Sequence, residues 1–113
     1  MHHVEKSWGS EIWICNSKKY CGKKLFVQKG KWCSLHFHKL KDEVLFFETN
    51  GIRFAYGSLE KPKVIEMQQG DAFHVEPGLP HQFYALEDAV IFEFSTQHFD
   101  EDSFRITTEL IAG

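Results

Sequence analysis

The feature that most limits the possible folds is a series of short apolar segments, rich in β-branched and aromatic residues and separated by turn-forming residues. Segments of this kind at close spacing favour strands in a β-sandwich or β-barrel. Lys29-Gly30, Asn50-Gly51 and Pro77-Gly78-Leu79-Pro80 indicate turns. The predicted strands are Glu11–Cys15, Lys24–Gln28, Trp32–His38, Val44–Glu48, Ile52–Tyr56, Lys63–Met67, Ala72–Val75, Gln82–Leu86 and Val90–Ser95. We therefore expect an all-β fold, with at most one helical turn near Asp100–Ile106.

Length and composition fit one small globular domain over residues 1–113. The chain is 42% hydrophobic with 11 phenylalanines, which is enough apolar material for one packed core. A net charge of −3 without a long basic run argues against nucleic acid as a partner. We expect the basic pairs Lys18-Lys19 and Lys23-Lys24 to be solvated. No apolar run approaches the ~20 residues of a membrane span, so we expect no membrane association.

Cysteine usage indicates a reducing compartment. Cys15, Cys21 and Cys33 are an odd number without C-x-x-C spacing, which disfavours a disulfide framework. The expected location is therefore the cytoplasm. The simplest role for these residues is that of small buried hydrophobes, and the alternative is one thiol near a metal ion.

Two histidines one residue apart, His36 and His38, project from the same face of a predicted strand because alternate side chains of a strand share a face. Glu43 follows five positions after His38, and His81 comes directly after a rigid turn. Imidazoles combined with a carboxylate suit Zn, Mn, Fe, Ni or Co. This pattern predicts a site for one divalent metal ion inside a small barrel.

The reverse face of the same strand is unusually apolar. Strand alternation places Cys33, Leu35 and Phe37 opposite the two histidines, and Val44 and Phe46 opposite Glu43. An apolar outer face in a small protein has to be covered. We expect the N-terminal strand or a second subunit to cover it, and we favour a homodimer.

Two motifs resemble those of the cupin superfamily. The first is Gly30-x5-His36-x-His38-x4-Glu43-x7-Gly51, and the second is Gly70-Asp71-x6-Gly78-x2-His81. The first has one extra residue before Gly51, and the second has Glu76 and Ala85 where the family usually has Pro and Asn. The resemblance extends over nearly the whole chain. It implies a double-stranded β-helix, or jelly roll, with a metal held by His36, His38, Glu43 and His81.

Three further segments are similar to cupins related to type II phosphomannose isomerase and the guanylyltransferase-fused domains. They are Lys6-Ser7-Trp8-Gly9-Ser10-Glu11, which resembles K-P-W-G-x-E, Cys33-Ser34-Leu35-His36, which resembles S-L-Q, and the run from Phe94 to Asp102, which resembles S-T-x-H-x-D-E-D. Ser7 replaces the Pro, and His36 stands where those enzymes have Gln. The resemblance implies a small-molecule substrate, a carbohydrate or sugar phosphate, and an isomerase-type reaction.

Such a reaction needs a Lewis acid to polarise a carbonyl and a general base to move a proton between adjacent carbons. His74, Glu76 and His98 are the candidate bases. His74 faces inward only if Ala72 and Glu76 do as well. Lys39 and Lys41 could contact a phosphate, although solvated charge is the simpler expectation.

Two other functions remain open for the same residues. Three histidines and one glutamate also serve mononuclear iron dioxygenases, and a cupin of this kind can bind sugar without catalysis. The aromatic residues Trp32, Phe47, Phe83 and Phe92 could line a pocket, although core packing is their simpler role.

Overall fold

The structure, a computed structural model, describes residues 2–113, which form eleven strands, one 3₁₀ turn at Asp100–Asp102 and no α-helix. The strands are β1 His2–Lys6, β2 Gly9–Asn16, β3 Cys21–Val27, β4 Leu35–Phe37, β5 Glu43–Phe47, β6 Ile52–Gly57, β7 Pro62–Met67, β8 Ala72–Val75, β9 His81–Ala85, β10 Ala89–Ser95 and β11 Phe104–Thr107. All nine predicted strands are present, some with shifted ends. The sequence predicts neither β1 nor β11.

The strands pair into two antiparallel sheets. The first sheet has the order β1-β2-β3-β10-β5-β8, and the second has the order β11-β4-β9-β6-β7. After β3 the chain repeatedly crosses from one sheet to the other, so β4 and β5 lie in different sheets. This is a jelly roll, as expected. No helix in residues 2–113 has the length and apolar character needed to cross a membrane.

Strand alternation decides which side chains enter the space between the sheets. On β5, Glu43, Leu45 and Phe47 are buried, whereas Val44 and Phe46 lie on the outer face, as predicted. The largest fully buried side chains include Phe47, Phe54 and Ile91. Each contributes roughly 1.5–3 kcal/mol to folding through the apolar surface that it removes from water. Leu45 and Phe47 belong to this core, so their packing fixes the face of β5 from which Glu43 also projects.

The predicted strand Trp32–His38 is interrupted. Regular pairing covers only Leu35–Phe37, and Trp32 forms an isolated bridge with Tyr84. The Cys33 N–H donates to the Phe83 carbonyl at 3.2 Å, and the Cys33 side chain packs into the core cluster. The predicted outward orientation of Cys33 is therefore wrong, because the chain leaves the ladder between Trp32 and Leu35.

The C-terminal segment covers part of the outer face of the second sheet, at Gln82 on β9, where we expected the N-terminal strand or a second subunit. Gln82 points outward from β9 and is nevertheless fully buried. Its Oε1 accepts hydrogen bonds from the N–H groups of Ile111 at 2.7 Å and Ala112 at 2.9 Å. Its Nε2 donates to the carbonyls of Cys33 and Glu109, both at 2.9 Å. At Gln82, therefore, the C-terminal segment buries the outward-facing side chain, and the expected N-terminal strand or second subunit does not.

The pair Trp8-Gly9 fixes the entry into the first sheet. Trp8 packs edge-on against Phe83, with ring centroids 5.0 Å apart. Gly9 has a φ of 151°, and a Cβ atom at this position would lie 1.8 Å from the backbone oxygen of Phe26. Only glycine allows β2 to approach β3 this closely. The pair Trp8-Gly9 therefore has a structural role at the start of the first sheet.

Candidate metal centre

Two strands of the second sheet bring three histidines together. His36 and His81 are direct partners in the β4–β9 pairing, and His38 follows the end of β4. One ring nitrogen from each of the three lies within 4.8 Å of those of the other two. The turn before His81 is tied to the first motif, because the Gly78 N–H donates to the His38 carbonyl at 2.6 Å. Gly78 has a φ of 85°, which favours glycine at this position.

Backbone carbonyls orient all three rings in the same way. Nδ1 of His36 is 2.7 Å from the Ser34 carbonyl, and Nδ1 of His81 is 2.9 Å from the Leu79 carbonyl. Nδ1 of His38 is 2.7 Å from the Asp102 carbonyl. A carbonyl can only accept, so each neutral ring carries its hydrogen at Nδ1. Each Nε2 therefore keeps a lone pair for a metal ion, which is the usual arrangement for metal-binding histidines.

Burial keeps these imidazoles in the neutral form that metals bind. Burial lowers the pKa of His38 to about 4, with the Lys41 charge acting in the same direction. Burial also lowers the pKa of His36, and that of His81 well below the usual range, helped by the neighbouring histidines in the latter case. None of the three rings needs to lose a proton at neutral pH before it can bind a cation.

Glu43 lies beside the histidine cluster, with one carboxyl oxygen close to His38. Its Oε2 is 3.4 Å from Nε2 of His38 and is buried without a hydrogen-bond partner in residues 2–113. Burial raises its pKa to about 8, with the charge of Glu93 adding to the effect and Lys41 opposing it. A buried carboxyl oxygen without a partner is costly, and a cation at this position would remove the cost. The four side chains therefore fit a divalent metal ion.

The segment between His38 and Glu43 is held by Asp102. The Asp102 carboxylate accepts hydrogen bonds from the N–H groups of Lys39 at 2.8 Å, Leu40 at 3.1 Å and Lys41 at 3.0 Å. Burial alone would raise the pKa of Asp102, but these hydrogen bonds together lower it. Asp102 thus orders the segment that separates two of the predicted ligands. Asp102 therefore has a structural role in the acidic run Asp100-Glu101-Asp102.

The cluster faces a cavity of about 380 Å³. Charged side chains from the first sheet line the wall of this cavity together with the histidines. These residues are Glu11 on β2, Lys23 on β3, Glu93 on β10 and Lys41 just before β5. All four are buried, and Lys23 and Lys41 are each only 2% exposed. The expectation that Lys23 and Lys41 are solvated is therefore wrong, because both side chains point between the sheets.

The buried charges form two ion pairs. Nζ of Lys41 donates to Oε2 of Glu93 at 2.9 Å, and Nζ of Lys23 lies 3.6 Å from Oε1 of Glu11. The Trp13 indole N–H also donates to Glu11 at 2.8 Å. Burial alone would raise the pKa of Glu93, but Lys41 and Lys23 outweigh it and lower the pKa to about 2. The cavity wall therefore presents fixed donors and acceptors.

Of the three predicted bases, only His98 lines the cavity. Its Nε2 is 2.9 Å from Oδ1 of Asp100, and its Nδ1 is buried without a hydrogen-bond partner in residues 2–113. His74 and Glu76 are exposed, and Nε2 of His74 lies 2.6 Å from Oδ1 of Asp42. Phe73 and Val75 occupy the inward positions of β8. The structure therefore does not bring His74 or Glu76 to the metal centre.

The remaining predicted contact residues are divided between cavity, core and surface. Phe83 lines the cavity, and Phe47 is in the core. Phe92 and Trp32 do not line the cavity, and Lys39 lies outside it with Nζ 4.5 Å from the Phe104 ring centroid. All three cysteines are free; Cys21 and Cys33 are buried, as expected, whereas Cys15 is exposed and does not fit that expectation. Cys33 also lines the cavity. Burial raises the pKa of Cys33 to about 12, so this thiol stays protonated.

Comparison with known proteins identifies the class of fold. No family model matches the sequence, and no curated protein is significantly similar to it. Among solved structures, oxalate decarboxylase from Bacillus subtilis is similar with a TM-score of 0.81 and 18% identity over 93% of this chain. The capsular polysaccharide assembling protein CapF from Staphylococcus aureus has a TM-score of 0.82 and 13% identity over 95% of this chain. The chain has the cupin fold that these proteins share.

This chain spans about a third of the length of both neighbours, covering 30% of the decarboxylase and 32% of CapF. At these identities the similarity establishes the fold. Together with the three-histidine cluster, it defines the chain as a cupin-fold protein with a candidate metal centre.

Proposed function

We propose that this protein is a metal-dependent isomerase that acts on a small carbohydrate or sugar phosphate. The observation that carries the proposal is the position of three oriented histidines and Glu43 on a cavity of about 380 Å³ whose wall is charged. A structural metal site is normally closed by protein ligands, whereas a catalytic site faces space for substrate. His36, His38, Glu43 and His81 would hold one divalent ion, for which Zn, Mn, Fe, Ni and Co are all suitable.

The charged wall supports a polyhydroxylated substrate. Each hydroxyl group is both a donor and an acceptor, and the paired ammonium and carboxylate groups of Lys41–Glu93 and Lys23–Glu11 provide both functions. An ammonium or carboxylate group in an ion pair keeps further donor hydrogens or acceptor lone pairs. The hydroxyl groups of a carbohydrate that displaces water from the cavity would bond to them.

His98 is the base in this proposal. With Nε2–H donated to Asp100, its Nδ1 keeps an unused lone pair, and the ring has to turn this buried atom towards the substrate for it to act as a general base. The bound metal would act as a Lewis acid towards the substrate carbonyl. His98 removes the proton from the hydroxyl-bearing carbon and returns it to the former carbonyl carbon, while a proton moves from one oxygen to the other. The substrate and product then have the same composition.

The carbohydrate assignment also takes support from two resemblances. The segments at Lys6–Glu11 and Phe94–Asp102 resemble those of phosphomannose isomerase-like cupins. CapF from Staphylococcus aureus is a capsular polysaccharide assembling protein. These similarities are compatible with the proposal, and the composition of the cavity wall gives it its physical basis.

Metal analysis is the first test. We expect the purified protein to contain one equivalent of a divalent metal by plasma emission, and the double variant His38→Ala/His81→Ala to contain none. His74→Ala is the matched control, because His74 is exposed and lies away from the cavity. Unchanged metal content in the double variant would contradict the ligand assignment.

Turnover is tested separately. We expect a thermal-shift screen of sugars, sugar phosphates and sugar nucleotides to identify a stabilising compound, and NMR in D₂O to detect deuterium at its exchangeable carbon. The variant His98→Asn should retain the stabilisation and lose the exchange. Stabilisation without exchange in the wild-type protein would identify a sugar-binding protein. Retained iron with oxygen uptake would identify a dioxygenase.

We also propose that the outer face of the first sheet pairs two copies of this chain. Phe94 and Val44 are direct partners in the β10–β5 pairing, and they are 55% and 37% exposed. Phe92 stacks on Phe94 with ring centroids 6.3 Å apart. We expect light scattering to give the mass of a dimer, and Phe94→Lys to give a monomer. Ile65→Lys, at an exposed position of the second sheet, is the control.

A further inference from the structure

We propose that Arg105 and Lys6 form an anion-binding pair at the mouth of the cavity, which binds a carboxylate or phosphate group of the ligand. The inference deepens the proposed function, on which it rests, because it specifies a carbohydrate that carries an acidic group. Both residues line the cavity that contains the histidines and are exposed to solvent, which places them at its mouth. Neither is among the residues that the sequence singles out for this role.

The position of Arg105 follows from the pairing of β11 with β4. Arg105 is the direct partner of His36, and directly opposed residues of antiparallel strands project from the same face. The preceding pair, Phe104 and Phe37, projects from the other face, where the two rings stack with centroids 5.3 Å apart. The guanidinium group therefore extends from the strand beside a predicted metal ligand and on the side of the cavity.

The other cations of the cavity already have partners. Lys41 is paired with Glu93 and Lys23 with Glu11, and both pairs are buried. Arg105 and Lys6 make no ion pair within residues 2–113. These two residues are thus the cavity-lining cations whose charge is not compensated by a protein carboxylate.

The acidic residues of the cavity do not neutralise this pair. Glu43 is assigned to the metal ion, and the exposed Glu5 lies 3.4 Å from His3 through its Oε1. Arg105 and Lys6 carry two positive charges against the one negative charge of Glu5, and a divalent ion held by Glu43 would add to this excess. The mouth of the cavity therefore favours an anionic ligand.

The chemistry of the two side chains indicates which anions fit. The planar guanidinium group matches the two oxygens of a carboxylate or phosphate, and an ammonium group adds a mobile positive charge. A ligand bound in this way would place its acidic group at the mouth and its polar remainder towards the histidines. The pair would then determine which carbohydrates enter the cavity in the productive orientation.

The chain offers an internal control for a direct test, since Arg53 and Arg105 are its two arginines. Arg53 lies on β6 and is paired with Glu66 at 3.0 Å. We would record the Nε–Hε resonances of both arginines by ¹H–¹⁵N NMR in metal-free protein. Inorganic phosphate or malonate would be titrated at constant ionic strength, with chloride as the reference anion. We expect a saturable shift of the Arg105 resonance and none of the Arg53 resonance.

The variants separate the contribution of each cation. Arg105→Gln should abolish the saturable response of the remaining protein signals, Arg105→Lys should weaken it, and Lys6→Gln should reduce the affinity several-fold. Arg53→Gln should leave the response unchanged. No saturable shift with either anion, or equal shifts at Arg53 and Arg105, would overturn the proposal. A response to phosphate alone would assign a phosphorylated ligand, and one to malonate alone a carboxylated ligand.

This test is independent of catalysis. Because it is done without metal or substrate, a failure of anion binding leaves the proposed isomerase intact with a neutral sugar as substrate. Conversely, anion binding at Arg105 in a protein that shows no carbon–deuterium exchange would retain the anion site and reject the isomerase.

Discussion

The Nδ1 atom of His38 lies 2.7 Å from the backbone carbonyl of Asp102, and these two residues are 64 positions apart in the sequence. The carboxylate of the same Asp102 accepts hydrogen bonds from the backbone N–H groups of Lys39, Leu40 and Lys41. One residue thus fixes the ring of a predicted ligand and the segment that leads to the next ligand, Glu43. Contacts of this kind orient the ligands, and their loss typically weakens metal binding.

We predict that Asp102→Ala lowers metal affinity by about 10- to 100-fold, because the segment after His38 loses its hydrogen-bond acceptors. Competition with a chromophoric chelator would measure the change. Glu101→Ala is the matched control, since Glu101 is an exposed neighbour in the same 3₁₀ turn. Equal affinities for Asp102→Ala and the wild-type protein would show that the segment is ordered without Asp102.

Glu43 gives the metal-free protein a specific pH dependence. Burial and the charge of Glu93 raise its pKa from 4.5 to about 8, so the folded state holds a proton that the unfolded state loses at lower pH. The contribution of this group to the free energy of unfolding is therefore largest below pH 4.5. It decreases as the pH rises from 4.5 towards about 8. We predict that Glu43→Gln removes this decrease, as measured by urea unfolding in the presence of a chelator.

The metal-loaded protein provides the complementary measurement. Metal binding has to displace the Glu43 proton below pH 8, so metal affinity of the wild-type protein should rise with pH across the same range. In Glu43→Gln the affinity should be lower and its rise with pH smaller. A pH-independent affinity of the wild-type protein would mean that metal binding does not displace the Glu43 proton. Glu43 would then not be a ligand.

Much of the fold follows from alternation and turn chemistry. The side-chain pattern of β5 indicates its inner and outer faces, and Asn50-Gly51 marks the hairpin turn before β6. The edge strand β1 has the sequence His-His-Val-Glu-Lys and is largely exposed, so it lacks the apolar alternation that identifies a strand. Its conformation depends on pairing with β2, which a local pattern does not reveal.

The site shows a similar division. Motif spacing identifies the three histidines that the fold brings together. The buried charges are harder to predict, because Lys and Glu are almost always solvated. Lys23 nevertheless shares the inward parity of Leu25 and Val27 on β3, and this signal could have identified it. The contact between Asp102 and the segment after His38 depends on the tertiary fold, so local sequence offers no signal for it.

The buried pair of Lys41 and Glu93 should cost much more to break than an exposed pair. We predict that Lys41→Met destabilises the protein by about 3–5 kcal/mol, because the buried charge of Glu93 loses its 2.9 Å partner. The double variant Lys41→Met/Glu93→Leu should recover most of this loss and should lose ligand binding. Urea unfolding of both single variants and the double variant measures the coupling.

The exposed pair Arg53–Glu66, with a 3.0 Å contact, is the control for this cycle. Its coupling energy should lie within about 1 kcal/mol of zero, because water screens both groups. A similarly small coupling for Lys41 and Glu93 would show that water reaches the cavity wall and solvates the charges there. Recovery of stability together with retained ligand binding in the double variant would remove the proposed role of this pair in recognition.

Gln82 should determine whether the C-terminal segment stays on the barrel. Gln82→Leu fills a similar volume but leaves four backbone groups without their partner, two N–H groups and two carbonyls. Each buried unsatisfied group costs about 1–3 kcal/mol. The segment after β11 should therefore detach, because its backbone groups can then form hydrogen bonds with water. Hydrogen exchange should then be faster at Ile111 and Ala112. Gln69→Leu, in an exposed turn, should leave both amides protected, whereas protection in Gln82→Leu would mean that other contacts hold the segment.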